Sequence, residues 1–109
     1  MMPVTDPSLP LRTLADPTRR ALFERLVVAG EMTVGALADG AAVSQPAISQ
    51  HLKALRAAGL VTERRDGRHV HYRPEPAGLA PLVDWLEIYG VFWAERFGRL
   101  HRLLKEIDP

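Results

Sequence analysis

The stretch VSQPAISQHLKALRAAGLVTERRDGRHVHYR, Val43 to Arg73, decides the fold, because its apolar period changes half-way along. In its first half Ile48, Leu52 and Leu55 recur at steps of four and three, the stripe of a helix with one buried face. Ser44 stands where an N-cap belongs, since its hydroxyl can accept an orphan amide hydrogen. Pro46 falls in the first turn, where a missing N–H costs nothing. Gly59 is the stop, and after it the period becomes two. Leu60-Val61-Thr62-Glu63-Arg64-Arg65 and His69-Val70-His71-Tyr72-Arg73 flank Asp66-Gly67, a strong hairpin signal. Val70 and Tyr72 alternate with His69, His71 and Arg73, which predicts one apolar and one basic face.

Upstream, TVGALADGAAV predicts a short helix capped by Thr33, with Val34, Leu37 and Ala38 inward and Gly40 at its end. Only about five residues separate it from the helix beginning after Ser44, so the two must meet steeply, as in a helix-turn-helix. DPTRRALFERLVVAG reads as an earlier helix, capped by Asp16, opened by Pro17 and ended by Gly30, with Ala21, Leu22, Leu26 and Val27 as its apolar positions. Leu11, Leu14 and Ala15 suggest a short first helix ending near Ala15. Residues 1–10 hold three prolines and no period, and read as a mobile arm. Downstream, Pro74, Pro76, Gly78 and Pro81 separate the hairpin from a long helix over about 80–107. Its stripe is Leu82, Leu86, Tyr89, Trp93, Phe97, Leu100, Leu104 and Ile107, widened by Val83, Phe92 and Leu103 and flanked by Trp85. Gly90 in mid-helix costs ~1 kcal/mol against alanine and leaves room for another helix to approach. The expected fold class is mainly α (α+β), a single domain over 11–109 with about five helices and a two-stranded β-hairpin.

With 109 residues the chain has room for one domain, not two. It has no cysteine, which excludes a disulfide scaffold, a thiolate metal site and a cysteine nucleophile. No apolar run is long enough to span a membrane, and MMPVTDPSLP lacks the pattern of a secretory signal, so a cytoplasmic protein is the simplest reading. There is no Ser-His-Asp arrangement, paired carboxylate motif, Gly-rich phosphate loop or metal triad with defensible spacing, so neither an enzyme nor a cofactor is expected.

The net charge of +1 conceals an asymmetry. Ser44 to Arg73 carries six basic residues against two acidic, a charge of +4, with His51, His69 and His71 in addition; the remainder is −3. A basic segment on a mildly acidic body fits a polyanion partner, although a charge run alone also fits a solvated face. The exposed face of the helix after Ser44 tips the balance, because it is short, polar and free of long acidic groups. Gln45 and Gln50 are the candidate base readers, since Gln can pair bidentately with adenine. Ala47 is small enough to meet a thymine methyl, and Ser44, Ser49 and Lys53 are candidate phosphate contacts. His51 is a DNA or packing residue. Arg64, Arg65 and Arg68 lie near the hairpin turn, with Arg68 at its tip and Asp66 shaping it; they would bind phosphate by releasing counterions.

Three segments carry a family resemblance over about 11–107: LADPTRRALFERL, VSQPAISQHLKALRAAGLV and ERRDGRHVHYRPEPAGL. In the order Asp-Pro-Thr-Arg, Ser-Gln-His-Leu-Lys, Gly-Leu-Val and an arginine-bearing hairpin, the chain resembles the ArsR/SmtB family of bacterial winged helix-turn-helix repressors. The resemblance implies a homodimer that blocks transcription at a palindromic operator of double-stranded DNA. It also implies that the long last helix packs with the first against its twin, which would place Leu11, Leu14, Leu86, Tyr89, Trp93, Phe97, Leu100 and Leu104 at the dimer interface. The chain departs from the metal-sensing members. Where they carry a Cys-x-Cys pair it reads Glu31-Met32-Thr33-Val34-Gly35, and where they carry Asp-x-His it reads Asp84-Trp85-Leu86, with His101 the one histidine on that helix. His69 and His71 put two imidazoles on one strand face, too few for zinc. No metal is therefore expected, and an unknown organic effector among Trp85, Tyr89 and Trp93 is left open. The competing class is a winged-helix interaction module that docks a protein partner through the long last helix.

Overall fold

The computed structural model describes residues 6–107, the side chains at 91–94 excepted. In chain order the elements are α1 (Ser8–Ala15), α2 (Pro17–Ala29), β1 (Met32–Thr33), α3 (Val34–Ala38), α4 (Gln45–Ala57), β2 (Val61–Asp66), β3 (His69–Pro74), a 3-10 turn (Pro76–Leu79) and α5 (Ala80–Ile107). The expected mainly helical winged fold is the one observed.

Helix α4 forms where its cap and stripe predict. Ser44 Oγ accepts from the Ala47 amide at 3.4 Å, and Ile48, Leu52 and Leu55 are wholly buried. They meet Leu22, Phe23 and Leu26 of α2, Leu37 of α3, and Leu60, Val61 and Tyr72 from the hairpin side, which together are the core. Two α2 positions depart from expectation. Ala21 and Val27 are exposed, and Phe23 is buried in their place. On a stripe centred between Leu22 and Leu26, Phe23 falls within the buried arc while Ala21 and Val27 fall outside it on opposite flanks.

Helix α1 begins at Ser8, inside the segment expected to be an arm. Its start is compatible with its prolines, because the first four amides of a helix have no intrahelical partner and Pro10 occupies one of those positions. Asp6 accepts from the Ser8 amide at 2.9 Å, and buried Thr13 donates to the Leu9 carbonyl at 2.7 Å. The rest of the expected arm, residues 1–5, lies outside the described residues.

Asp16 caps α2 by accepting from the amides of Thr18 (2.8 Å) and Arg19 (3.2 Å). The Arg19 amide bond is the main cause holding its carboxyl below the ordinary carboxylate range. A carboxyl whose folded value is depressed stabilises the fold above its unfolded value and loses that contribution as pH falls through the folded one. Asp16→Ala is therefore expected to lower the melting temperature at pH 7, with the gap to wild type narrowing at pH 3; thermal melts at the two pH values measure this.

The sheet has three strands rather than two, antiparallel in the order β1-β3-β2. Met32 pairs with Tyr72 and Thr33 with His71. Thr33 also caps α3 by accepting from the Ala36 amide at 3.1 Å. The hairpin turn sits one residue later than Asp66-Gly67. Asp66 pairs with His69 at the strand ends, leaving Gly67 and Arg68 as the two turn residues. Gly67 has φ +60° and among the described residues no non-glycine residue has positive φ, the pattern of a type II′ turn.

Helix α5 leans on α1 and the 3-10 turn, and leaves most of its apolar residues in the open. Leu86, Tyr89, Leu100 and Leu104 are each about half exposed, at 51%, 48%, 52% and 55%. The Cα radius of gyration is 17.6 Å, against ~13 Å for a compact chain of about 100 residues. The side chains of Phe92 and Trp93 lie outside the described residues. Among the described residues no helix is long and apolar enough to cross a membrane.

Candidate nucleic-acid interface

With Ile48, Leu52 and Leu55 fixed against the core, the helical period sorts the remaining side chains of α4. Gln50 and Lys53 are exposed on the outer face. Gln45, Ser49 and Arg56 follow one another along the flank that turns to the hairpin. There a groove of about 420 Å³ opens between the two elements. Gln45 and Ser49 line one wall, Arg68, His69 and Val70 the other, and Thr33, Val34 and Gly35 close the inner end. No acidic side chain lines it. Ser44 is exposed at the mouth of the helix with its hydroxyl engaged as the cap, and Ala47 is half-buried on the opposite flank.

The sequence candidates are thus not equivalent. Gln45, Ser49 and Arg68 converge on the groove, and Gln50 and Lys53 stand beside it. His51 lies on the other flank of α4. It is half-buried, and its Nδ1 accepts from Arg19 Nε at 3.3 Å, so the ring bridges α4 to α2. Arg64 and Arg65 point to opposite faces of the sheet, as neighbours on a strand must. Arg64 is engaged within the protein: its Nε and Nη2 both donate to Glu31 Oε1, at 3.1 and 2.8 Å. Asp66 stands 3.9 Å from it on the other side, and His71 Nδ1 is 3.6 Å from the same Glu31 oxygen. Arg65 is exposed on the face that carries Val70 and Tyr72. Of the hairpin arginines expected to grip phosphate, Arg68 at the turn is the one on the groove, whereas Arg64 would have to leave Glu31 to reach DNA.

Sequence reasoning missed the groove's inner end, Thr33 to Gly35, and the roles of Glu31 and Glu63. Glu31 lies 33 residues from Arg64, and Glu63 meets Arg56 and Tyr72 across the junction of helix and hairpin, which neither element's period reveals. Tyr72 also proved more than an apolar strand residue. Burial first, and then its hydrogen bond to Glu63, push its hydroxyl above the usual phenol range, so it remains an O–H donor.

A helix-turn-helix domain family matches residues 14–64, the segment from α1 through most of β2. The HTH-type transcriptional regulator Rv2034 of Mycobacterium tuberculosis is 51% identical over 71 residues, 65% of each chain, so this chain spans about two thirds of that protein's length. The biofilm growth-associated repressor of Xylella fastidiosa is 40% identical over 85 residues, 78% of this chain and 72% of the repressor. The chain belongs to the ArsR/SmtB family of transcriptional regulators. Two solved structures superpose on it. A possible transcriptional regulator for arsenical resistance gives a TM-score of 0.66 at 46% identity, over 84% of this chain and 92% of that one. The homodimeric winged helix-turn-helix DNA-binding domain of a possible ArsR-family regulator from Mycobacterium bovis gives 0.61 at 28% identity, over 76% of each. These relatives are named as regulators or repressors. This member has no cysteine in its sequence, and among its described residues no group of three or more His, Asp or Glu side chains is placed to hold a metal ion.

Proposed function

We propose that this chain is a homodimeric, sequence-specific DNA-binding transcriptional repressor that recognises a palindromic operator. Helix α4 enters the major groove, and the β2–β3 hairpin follows the adjacent backbone or minor groove. The observation that carries this reading is the acid-free groove in which Gln45 and Ser49 face Arg68 and His69. It joins a helix able to read base edges to a cation able to hold phosphate. The exposed apolar stripe of α5 supports the second half of the proposal. A two-fold pair of chains joined there would present two copies of α4 to half-sites about one helical turn apart. The cytoplasm is the setting this reading requires.

Selection of bound sequences from a random DNA pool, followed by footprinting, tests it. Two half-sites are the expected result; equal binding to selected and random DNA overturns the sequence-specific claim. Two substitutions separate reading from holding. Gln50→Ala is expected to cost about 1–3 kcal/mol per half-site on the selected site and to relax preference at one symmetric base position in each half-site. Arg68→Ala is expected to weaken binding to all sequences alike and to lower the salt slope by about one per subunit, about two for the dimer. Titrations at several salt concentrations, with selected and random duplexes, measure both.

The second reading, an interaction module docking a protein partner, draws on the same α5 stripe. A monomer in sedimentation together with no DNA binding at low salt would favour it. An organic effector has one feature in its favour: the Trp85 and Tyr89 rings on α5 lie 5.0 Å apart, a tilted aromatic pair. Trp93, the third ring expected there, lies outside the described side chains.

A further inference from the structure

Behind the groove, at the corner where α4 and the hairpin join, lies a polar cluster that DNA contact does not use. Glu63 of β2 has 17% of its side chain accessible, and each carboxylate oxygen has its own donor. Arg56, in the last turn of α4, donates from Nη1 to Oε1 at 2.7 Å. Tyr72, buried and paired with Glu63 across the strands, donates its hydroxyl to Oε2 at 3.0 Å. One carboxylate thus ties the reading helix to both strands of the wing.

Its position gives it leverage. From Arg56 to Gln45 the helix rises about 16 Å, at 1.5 Å per residue. From Glu63 to Asp66 the strand extends about 10 Å, at ~3.3 Å per residue, and the turn beyond it carries Arg68. Two arms, the helix and the wing, therefore share one pin and face each other across the groove. Tilting α4 by about 5° at that end moves Gln45 by ~1.4 Å, beyond what a bidentate hydrogen bond to a base tolerates. Neither of the ordinary roles of such a residue accounts for the arrangement. A partly exposed ion pair adds little stability, and a carboxylate beside a DNA-facing surface repels phosphate.

We propose that Glu63 is a positioning residue that sets the spacing between α4 and the wing, and so governs discrimination between DNA sequences rather than affinity for DNA as such. The inference rests on the operator-binding reading above. The experiment compares the wild type with Glu63→Ala and Glu63→Gln in the full chain. It measures affinity for a selected operator and for random duplex, and it measures backbone amide residual dipolar couplings without DNA. Glu63→Ala is expected to lose about tenfold on the operator, the scale of one charged hydrogen bond, and to stay within about twofold on random duplex. Glu63→Gln keeps an acceptor for Arg56 and a partner for the Tyr72 hydroxyl, and is expected to restore most of the discrimination. The couplings should report a reoriented α4 in Glu63→Ala alone. Unchanged couplings in a folded Glu63→Ala overturn the proposal, as does a uniform gain on every duplex, which marks a purely electrostatic role. If Glu63→Ala does not fold, Tyr72→Phe, which removes only the hydroxyl, carries the test with an expected operator loss of about threefold; no loss overturns the proposal. If the wild type prefers no sequence, the operator reading falls and the couplings still decide whether Glu63 positions α4.

Discussion

Gly78→Ala is expected to cost the domain more than ~3 kcal/mol of stability. Gly78 lies in the 3-10 turn between the hairpin and α5, and its α-carbon faces the end of α4. A methyl there would overlap the Gly59 carbonyl oxygen, lie 2.6 Å from the Gly59 carbon and 3.1 Å from the Leu60 α-carbon. Those atoms are backbone, so no side chain can rotate away to make room. The backbone on both sides is also pinned. The Gly59 amide donates to Arg56, the Leu60 amide to Leu55 and the Glu75 amide to Leu60, at 2.9, 3.0 and 2.8 Å. Leu60 is wholly buried, so shifting it opens the core. Relief requires breaking some of these bonds or parting the turn from α4, a cost of more than ~3 kcal/mol against a typical total of about 5–15 kcal/mol. Urea titration followed by circular dichroism measures it. A midpoint within error of wild type would show that the turn can move off α4.

That clash was invisible in the sequence, where Gly78 read only as a spacer, and the contrast with α4 shows what makes an element legible. The stripe of Ile48, Leu52 and Leu55, the Ser44 cap and the Gly59 stop are local signals that agree with one another, so the helix forms where they place it. The hairpin was legible to within one residue. Asp66-Gly67 marked the turn, but Asp66 still pairs with His69, so the turn itself is Gly67-Arg68 and Arg68 stands at the tip, beside the groove. Strand β1 was not legible, because two residues show no period and Thr33 already had a local role as a cap. The same limit applies to the site. That Gln45 and Ser49 share the groove side of α4 follows from the helical period that orders them. The diversion of Arg64 to Glu31 and of His51 to Arg19 depends on side chains more than 30 residues away, which no local spacing encodes.

Leu100→Asp combined with Leu104→Asp is expected to turn the dimer into a folded monomer and to lower operator affinity by about a hundredfold or more. The two leucines are 52% and 55% exposed in the single chain, on the exposed side of α5, and belong to no part of the core. Replacing them therefore removes little packing within one chain, and the melting transition of the domain should survive. In a dimer closed through α5 the same positions become buried, and each of the four unpaired carboxylates, two from each chain, costs several kcal/mol. Loss of the second half-site then removes the gain from tethering, which is about 10²–10⁴-fold for linked binding modules. Random-duplex binding at low salt should fall much less, because the groove cations remain on each monomer. Sedimentation, circular dichroism and operator titration on one preparation test the whole chain of reasoning. A monomer with unchanged operator affinity would separate DNA recognition from dimerisation. A dimer that persists would place the two-fold contact elsewhere than the Leu100–Leu104 part of α5. Unfolding would mean that the single chain needs its twin to fold, which a protruding 28-residue helix with an exposed apolar face makes the outcome to watch for.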